Sequence, residues 1–349
     1  MRSIGNDRRS ALSARSAEIL HSIVSAYIES GEPVASRTIS RRARTNLSPA
    51  SIRNIMADLS DEGYLSQPHT SAGRVPTAKA FQDYVQTLQV TRHVSMEASR
   101  LREEIRHADG VEARVEKSSH LLTQYSKSMG IAAAIPTDNQ ILHQVEFMPL
   151  MDRRVLMIVV TRDRIVRDKV VTLDQDLQRD ELISIRNYIN ENFSGWTFSA
   201  IQKELSLRLD EERAVYDRIL QRLTSLLEQG LLDIGLAPTL HAEGAANLVG
   251  IDLHLTREKM RELLRTLEEK KRILELLDRF LQPNGEIGIQ VGLDELHPSM
   301  AELALIGFIV ELPGGLSAKV AVLGPMRMNY ERVMAAVYHV GQALQSTAT

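Results

Sequence analysis

The chain of 349 residues contains no cysteine, and this absence removes two kinds of site at once. Disulfide bonds are excluded, and so are metal sites held by thiolates. No apolar run approaches the ~20 residues that a membrane-spanning helix needs. Residues 1–10 are polar and charged, which does not fit a cleavable signal peptide. We therefore expect a cytoplasmic protein that makes no contact with membranes.

Signatures of catalysis are also missing. The sequence contains no G-x-x-x-x-G-K-[ST] phosphate loop, no G-x-S-x-G nucleophile turn and no H-E-x-x-H metal site. Its ten histidines are scattered, and its paired glutamates lie in charged stretches typical of solvated helix faces. We expect no catalytic site, no metal and no cofactor, and therefore a protein that is not an enzyme.

The most informative segment that is present spans residues 46–77, a capped helix followed by a short basic hairpin. Ser48 is a favourable N-cap, Pro49 suits the first helical position, and Gly63 ends the helix. Apolar residues at helical spacing form one stripe, namely Ile52, Ile55, Met56 and Leu59. The opposite face is small, polar and basic in its first half, and carries Ala50, Arg53, Asn54, Ala57 and Asp61.

Such a face suits the major groove of DNA. Small residues permit close approach, an asparagine can pair with an adenine edge, and an arginine can pair with guanine or a phosphate. Taken alone, the helix is explained equally well as a surface helix with a solvated polar side.

The flanking residues favour DNA binding. Residues 13–30 predict a first helix, and a short second helix over 37–43 follows with Ser36 as its cap. Three helices at this spacing are typical of a helix-turn-helix. After the third helix, prolines and a glycine punctuate a hairpin whose tip carries His69, Thr70, Ser71 and Arg74. Polar and basic hairpin tips suit phosphate or minor-groove contacts.

Charge is distributed unevenly along the chain. Residues 33–80 contain seven lysines and arginines against three acids, which is a net charge of +4. The whole chain carries −3, so the remaining residues sum to −7. A basic module on an acidic body is the electrostatic footprint of a nucleic-acid binder.

Three runs resemble the HrcA family of bacterial heat-inducible transcription repressors. The family patterns are P-V-x-S-R, A-[TS]-I-R-N-x-M-x-x-L and Q-P-H-T-S-A-G-R-x-P-T, which match residues 33–37, 50–59 and 67–77. Weaker similarity continues in residues 241–250 and 324–333. The resemblance implies repression of chaperone genes by a homodimer bound to the inverted-repeat operator called CIRCE. It also implies that the chaperonin GroEL restores the activity of the repressor.

The rest of the chain alternates between helical and β-rich patterns. Residues 91–129 predict one or two amphipathic helices, and residues 141–173 predict an antiparallel meander. Further helices are predicted at 177–192, 201–232, 258–281 and 330–344, and further strands at 287–291, 303–312 and 316–323. Strands on both sides of a helical block indicate one α/β domain interrupted by an insertion.

We therefore expect an α+β multidomain protein with an N-terminal winged helix-turn-helix and a GAF-like α/β domain that carries an inserted dimerising domain, as the resemblance implies. The expected bounds are 1–92 for the winged helix, 93–174 and 249–349 for the GAF-like domain (with a linker helix at about 93–130), and 175–248 for the insertion. Partners would be double-stranded DNA, a second copy and GroEL. The expected DNA contacts are Ser48, Ser51, Arg53 and Asn54 on the recognition helix, Arg37, Arg41 and Arg42 on the second helix, and His69 and Arg74 on the wing.

A second function class stays open. A DNA-binding head can also be joined to an enzyme or a metabolite sensor, as in a biotin-ligase repressor. The glycine-rich nucleotide loop of such an enzyme is missing. The alternative is therefore a winged-helix regulator that responds to a small molecule bound in the GAF-like domain.

Overall fold

The computed structural model describes residues 12–42, 47–69, 73–88, 96–137, 139–162, 165–173, 177–211, 226, 231, 238–249, 251, 253, 255–282, 285–312 and 315–346. These residues form a mixed α+β structure with twelve α-helices and three β-sheets. None of the helices in the described part of the chain combines the length and the apolar character that a bilayer crossing requires.

The N-terminal unit consists of four helices and a two-stranded antiparallel hairpin. Its elements are α1 (Ala14–Ser30), α2 (Ser36–Arg42), α3 (Pro49–Asp61), β1 (Leu65–Ser66), β2 (Val75–Pro76) and α4 (Ala78–Gln86). Ser13 caps α1 by accepting a hydrogen bond from the Ser16 N–H at 3.1 Å. Gly31 ends α1 at φ +73°, a left-handed conformation that a glycine adopts without strain. The predicted helices at the N-terminus are thus confirmed to within a few residues.

A five-stranded sheet forms the centre of the main body, and all its neighbouring strands are antiparallel. Its strands are β3 (Met129–Pro136), β7 (Thr239–Glu243), β8 (Gly288–Val291), β9 (Leu303–Leu312) and β10 (Leu316–Pro325). They lie in the order β7-β3-β10-β9-β8, which leaves β7 and β8 at the edges.

Helices cover both faces of this sheet. One face carries α5 (Met96–Arg106), α6 (Gly110–Ser126) and α12 (Tyr330–Ser346), and the other carries α9 (Ala246–Val249), α10 (Arg257–Glu268), α11 (Lys270–Phe280) and the 3₁₀ turn Pro298–Met300. Alternate side chains of a strand point to opposite faces. Val320 and Val322 of β10 accordingly join the core below α12, whereas Ala321 and Leu323 join the core below α10 and α11.

A third unit has a core of its own. The strands β4 (Leu142–Pro149), β5 (Arg154–Thr161) and β6 (Val166–Thr172) form the predicted antiparallel meander, and α7 (Arg179–Phe193) and α8 (Phe198–Glu211) pack on one of its faces. Asn190 of α7 ties the helix to the edge strand β4, since its amide accepts from the Val145 N–H at 2.8 Å and donates to the Val145 carbonyl at 3.0 Å.

This separate core changes where the insertion is best placed. The sequence assigned the meander to the GAF-like domain and began the insertion at residue 175. In the structure the meander shares no sheet with β3 and β7, and its buried residues pack against α7 and α8. The chain leaves the five-stranded sheet after Pro136 and returns to it at Thr239. We therefore propose that the insertion spans about residues 137–238 and not 175–248.

One prediction of secondary structure is wrong, and two strands were missed. The single helix predicted over 258–281 is interrupted at Glu269, which is extended (φ −80°, ψ 104°). In one continuous helix the apolar stripe would include position 270 or 271, and both are lysine. Strands β3 and β7 were not predicted, because the alanine-rich run of β3 has a weak strand propensity that pairing with its neighbours overrides.

The N-terminal unit is joined to the body by α4. Phe81 and Tyr84 of α4 contact the ring of Tyr330, with ring centroids 6.3 and 6.4 Å apart. The Gln82 side chain donates a hydrogen bond to the Val291 carbonyl at 3.1 Å. Burial raises the pKa of the Tyr330 phenol, which donates to the Met326 carbonyl at 2.7 Å. One hydrophobic core therefore runs from α1 through α4 to α12.

The contact between α6 and β3 generates a prediction about stability. A Cβ on Gly130 would lie 2.7 Å from the Thr123 backbone nitrogen, so Gly130→Ala must push α6 off the sheet. Overpacking of this kind costs about 1–3 kcal/mol, and urea unfolding would show a lower midpoint. The matched control is Gly288→Ala, where the nearest atom is 3.5 Å away. Equal midpoints for the two variants would contradict the close contact.

Candidate nucleic-acid interface

The N-terminus of α3 is built by Ser48 and Pro49, as the sequence predicted. The Ser48 hydroxyl accepts from the Ser51 N–H at 3.1 Å, and the two hydroxyl groups lie 3.0 Å apart. Pro49 occupies the first turn, where no backbone donor is needed. This cap fixes the direction in which the first turn of α3 leaves the preceding loop.

The two faces of α3 are divided as predicted. Ile52, Met56 and Leu59 are buried against the N-terminal core. Arg53 and Asn54 are exposed, and they share the outer side with Ala50 and Ala57. An exposed arginine and asparagine next to small residues provide donors and acceptors without a bulky obstacle, which is what a groove-reading helix requires.

Helix α2 packs against α3 and carries the three predicted arginines. Arg37, Arg41 and Arg42 are all exposed. Arg42 forms an ion pair with Glu29 of α1, and both side chains are partly exposed. Exposed pairs of this kind are weak, so Arg42 is able to exchange Glu29 for a phosphate.

The hairpin is held against the loop between α1 and α2. The backbones of Val34 and Arg74 exchange two hydrogen bonds of 2.8 and 2.9 Å. Gly73 permits this approach, because a Cβ there would lie 2.6 Å from the Val34 carbonyl carbon. The Arg74 guanidinium donates to the Gln67 side chain, and Arg74 is only half-exposed. The predicted tip residues Thr70 and Ser71 lie outside the described residues.

His69 has a second environment that the sequence did not indicate. It is exposed, and it also lines a cleft of about 940 Å³ between the N-terminal unit and the body. The walls on the body side include Asp294, Glu302 and Arg327. The structure therefore places His69 both on the exposed surface of the hairpin and at the opening of the cleft between the two units.

Three residues that support the hairpin were given no role from the sequence. Gln67 accepts from Arg74, and Thr77 bonds to the carbonyls of Gly63 and Tyr64 at 2.8 and 3.0 Å. Lys79 donates to the Glu62 carbonyl at 2.8 Å and lies over the Tyr64 ring at 4.0 Å. Gln67 and Thr77 are the first and last residues of the third run that resembles the HrcA family. Their place in that run was the sequence feature that could have identified them. Lys79 thus contributes to the base of the hairpin although the residue is exposed.

Metal-binding groups are not assembled in the part of the chain that the structure describes, since no cluster of three or more histidine, aspartate or glutamate side chains is found there. All nine predicted contact residues lie in the N-terminal unit, on α2, at the start and outer face of α3, and on the hairpin.

Comparison with known proteins adds evidence that covers nearly the whole chain. Residues 112–334 match the family model described as the HrcA protein C-terminal domain. A curated relative from Geobacter sulfurreducens is 34% identical over 325 residues, covering 93% of this chain and 94% of its own. Another from Xanthomonas campestris pv. campestris is 32% identical over 337 residues, covering 95% of each chain. Both relatives are named heat-inducible transcription repressor HrcA.

A solved structure supports the fold. A crystal structure described as that of a hypothetical protein superposes with a TM-score of 0.61 at 20% identity, covering 97% of this chain and all of that chain.

The cap of α3 generates a prediction. Ser48→Ala removes the acceptor for the Ser51 N–H and should lower the free energy of unfolding by about 0.5–2 kcal/mol. Ser48→Asp keeps an acceptor at the cap and should unfold at nearly the wild-type urea concentration. If both variants unfold like the wild type, Ser48 does not stabilise α3.

Proposed function

Because the chain belongs to the HrcA family of heat-inducible transcription repressors, we propose that it is a sequence-specific DNA-binding repressor of heat-shock chaperone genes. It binds the inverted-repeat CIRCE operator as a homodimer in the cytoplasm. The observation that carries the proposal is the outer face of α3, where exposed Arg53 and Asn54 follow a capped first turn.

The N-terminal unit acts as a winged helix-turn-helix. Helix α3 is the recognition helix, α2 is the supporting helix, and the hairpin braced by Val34 is the wing. Arg53 and Asn54 contact base edges, and Ser48 and Ser51 contact the backbone near the start of α3. The arginines of α2 and the wing residues hold phosphates, namely Arg37, Arg41, Arg42, His69 and Arg74.

Fluorescence anisotropy tests the proposal directly. Binding is measured at fixed salt to an intact CIRCE duplex and to one whose second half-site is scrambled. Specific sites are typically bound about 10³–10⁷ times more tightly than random DNA, so the intact repeat should be strongly preferred. Equal and weak binding to both duplexes, with chaperonin present, would overturn it.

Arg53→Ala is the sharpest single substitution. If Arg53 pairs with a base, binding should weaken by roughly 1–3 kcal/mol and the preference for the matching base should relax. Arg265→Ala removes the same charge from an exposed site on α10 and is the control. A uniform loss on all sequences would instead assign Arg53 to a phosphate.

The body is proposed to comprise a GAF-like domain around the five-stranded sheet and an inserted dimerising domain at about 137–238. The outer face of the β4–β6 sheet supports the second assignment. Met148, Val166 and Val170 lie on this face and are 53%, 62% and 49% exposed. Large apolar side chains exposed on one face of a sheet make that face a candidate interaction site.

The order of residues along this face favours a second copy as its partner. Met148, Leu156 and Val170 form one row across the three strands. Arg154 lies one row to one side, and Asp168 lies one row to the other side. A two-fold axis along the apolar row would place Arg154 of each copy opposite the row of the other copy that contains Asp168. The face is therefore complementary to itself, as an isologous dimer requires.

Val170→Lys should therefore weaken the dimer about tenfold or more, because a charge enters the centre of the contact. Analytical ultracentrifugation over a concentration series measures this. Val249→Lys is the control, since Val249 is 52% exposed on the body and outside the insertion. An unchanged dimer in Val170→Lys would move the dimer surface elsewhere.

Release on heating follows from marginal stability, because a small loss of folding free energy lowers the DNA-competent fraction. GroEL restores that fraction, and it fails to do so when other unfolded proteins occupy it. Heated repressor is compared for operator binding after cooling with and without chaperonin. Equal recovery in both samples would reject the role of GroEL.

One observation supports the alternative of a regulator that binds a small molecule. The cleft of about 940 Å³ beside His69 has a volume typical of ligand sites, and it lies between two units as such sites often do. A thermal-shift screen with nucleotides and metabolites tests this alternative, because a ligand bound by the folded state alone must raise the melting temperature.

A further inference from the structure

The loop between β10 and α12 reaches the N-terminal unit through the side chain of Arg327. Its guanidinium lies against Gly31 at the end of α1, since a Cβ on that glycine would be 2.8 Å from the Cζ atom of Arg327 and 3.3 Å from Nη2. Gly31 also has a φ of +73°, which favours glycine. The backbone angle and the approach of Arg327 are therefore two separate reasons for a glycine at this position.

The end of α1 is a favourable place for this cation. The C-terminus of a helix carries a partial negative charge, because its last carbonyl groups have no partners within the helix. The last turn of α1 contains no basic residue of its own, and its Glu29 is already paired with Arg42 of α2. Arg327 is thus a cation that the body contributes to the end of a helix in the N-terminal unit.

This contact lies on a different element from the contacts that α4 makes with the body. Phe81 and Tyr84 of α4 pack on Tyr330, and Gln82 of α4 bonds to the Val291 carbonyl. Contacts along one helix oppose rotation about the axis of that helix less than a contact away from the axis does, because their lever arm is shorter. The contact on α1 therefore adds resistance to a rotation that α4 resists least.

A rotation of α1 would move both parts of the N-terminal unit that are proposed to meet DNA. Helices α1 and α3 share one core, which includes Ile23 and Ile52. The loop that follows Gly31 leads to Val34, whose backbone exchanges two hydrogen bonds with that of Arg74 on the hairpin. In a two-fold dimer such a rotation changes the separation of the two recognition helices, and this separation must match the spacing of the half-sites.

We propose that Arg327 is a positioning residue that fixes the rotation of the N-terminal unit on the body, and that it thereby sets the half-site spacing that the dimer accepts. The consequence for spacing rests on the proposed function, whereas the fixed rotation does not. The two parts are therefore measured separately, the first without DNA and the second with it.

The rotation is measured between two spin labels. The chain has no cysteine, so two introduced cysteines give one labelled pair. Glu18→Cys on α1 and Lys271→Cys on α11 replace exposed residues, and labelled chain is diluted into excess unlabelled chain so that distances within one chain are measured. Arg327→Ala should broaden or shift the distance distribution. The control Arg332→Ala removes the same charge from an exposed position on α12 and should leave the distribution unchanged.

Gly31→Asn displaces the guanidinium while Arg327 is still present, because asparagine tolerates the left-handed backbone but adds a side chain. It should change the distribution as Arg327→Ala does, and the double variant should change it little further, since both substitutions remove one contact. The control is Gly285→Asn at φ +72°, where a Cβ would meet no atom of the described residues within 4 Å. Unchanged distributions in both Arg327→Ala and Gly31→Asn would overturn the positioning role.

The consequence for DNA is measured by fluorescence anisotropy on inverted repeats with a native, a shortened and a lengthened spacer. Arg327→Ala should reduce the preference for the native spacer about 2- to 5-fold, the effect of one cation at a helix C-terminus, and should leave binding to a single half-site unchanged. Arg327→Lys keeps the charge and should retain part of the preference.

Three outcomes separate the possible failures. An equal loss on the single half-site would contradict positioning, because Arg327 would then act on DNA contact itself. A changed distance distribution with an unchanged spacer preference would overturn the link to spacing. A wild-type protein that binds intact and scrambled repeats equally would reject the proposed function, and the spin-label result would still decide whether Arg327 fixes the rotation.

Discussion

The packing of Tyr330 against Phe81 and Tyr84 is the contact on which the placement of the N-terminal unit against the five-stranded sheet depends. Tyr330 is the first residue of α12, and its ring is almost fully buried. Burial raises the pKa of its hydroxyl group, which donates a hydrogen bond to the Met326 carbonyl. The aromatic contact merges the core of the N-terminal unit with one face of the five-stranded sheet. The position of α3 relative to the body is set there.

The unit formed by β4–β6, α7 and α8 obeys a different constraint. Its meander packs on α7 and α8 around aromatic residues such as Phe193 and Phe198, and its buried side chains form a cluster of their own. A unit with an independent core can present an exposed face without disturbing the sheet from which it departs. The outer face of the β4–β6 sheet, opposite that core, exposes the apolar side chains of Met148, Val166 and Val170. Association and DNA contact can therefore occupy separate surfaces of one chain.

Net charge also distinguishes the N-terminal unit from the rest of the chain. Residues 33–80 carry +4 and the remainder carries −7, so the field attracts phosphates to the N-terminal unit and repels them from the body. The ion pair of Arg42 with Glu29 shows that this positive charge is partly engaged within the protein. Because that pair is exposed, it costs little to exchange for a phosphate.

The sequence predicted those features that depend on neighbours along the chain. The cap at Ser48, the helix stop at Gly63, the buried stripe of α3 and the β4–β6 meander follow from residue type and period, and the structure contains all four. The nine proposed DNA contacts came from the same local pattern, and their roles remain proposals. From the sequence, Gly73 was only a residue of the hairpin turn. In the structure, a side chain at this position would collide with the backbone of Val34.

Tertiary structure decided whatever depends on residues far apart in sequence. The alanine-rich β3 becomes a central strand because β10 and β7 pair with its two edges. The meander became part of a separate unit because α7 and α8 cover it, which the period of its strands could not reveal. The contact of α4 with β8 joins Gln82 to Val291 across 209 positions of sequence. Periodicity records which side of an element is buried, whereas the partner that buries it is set by packing.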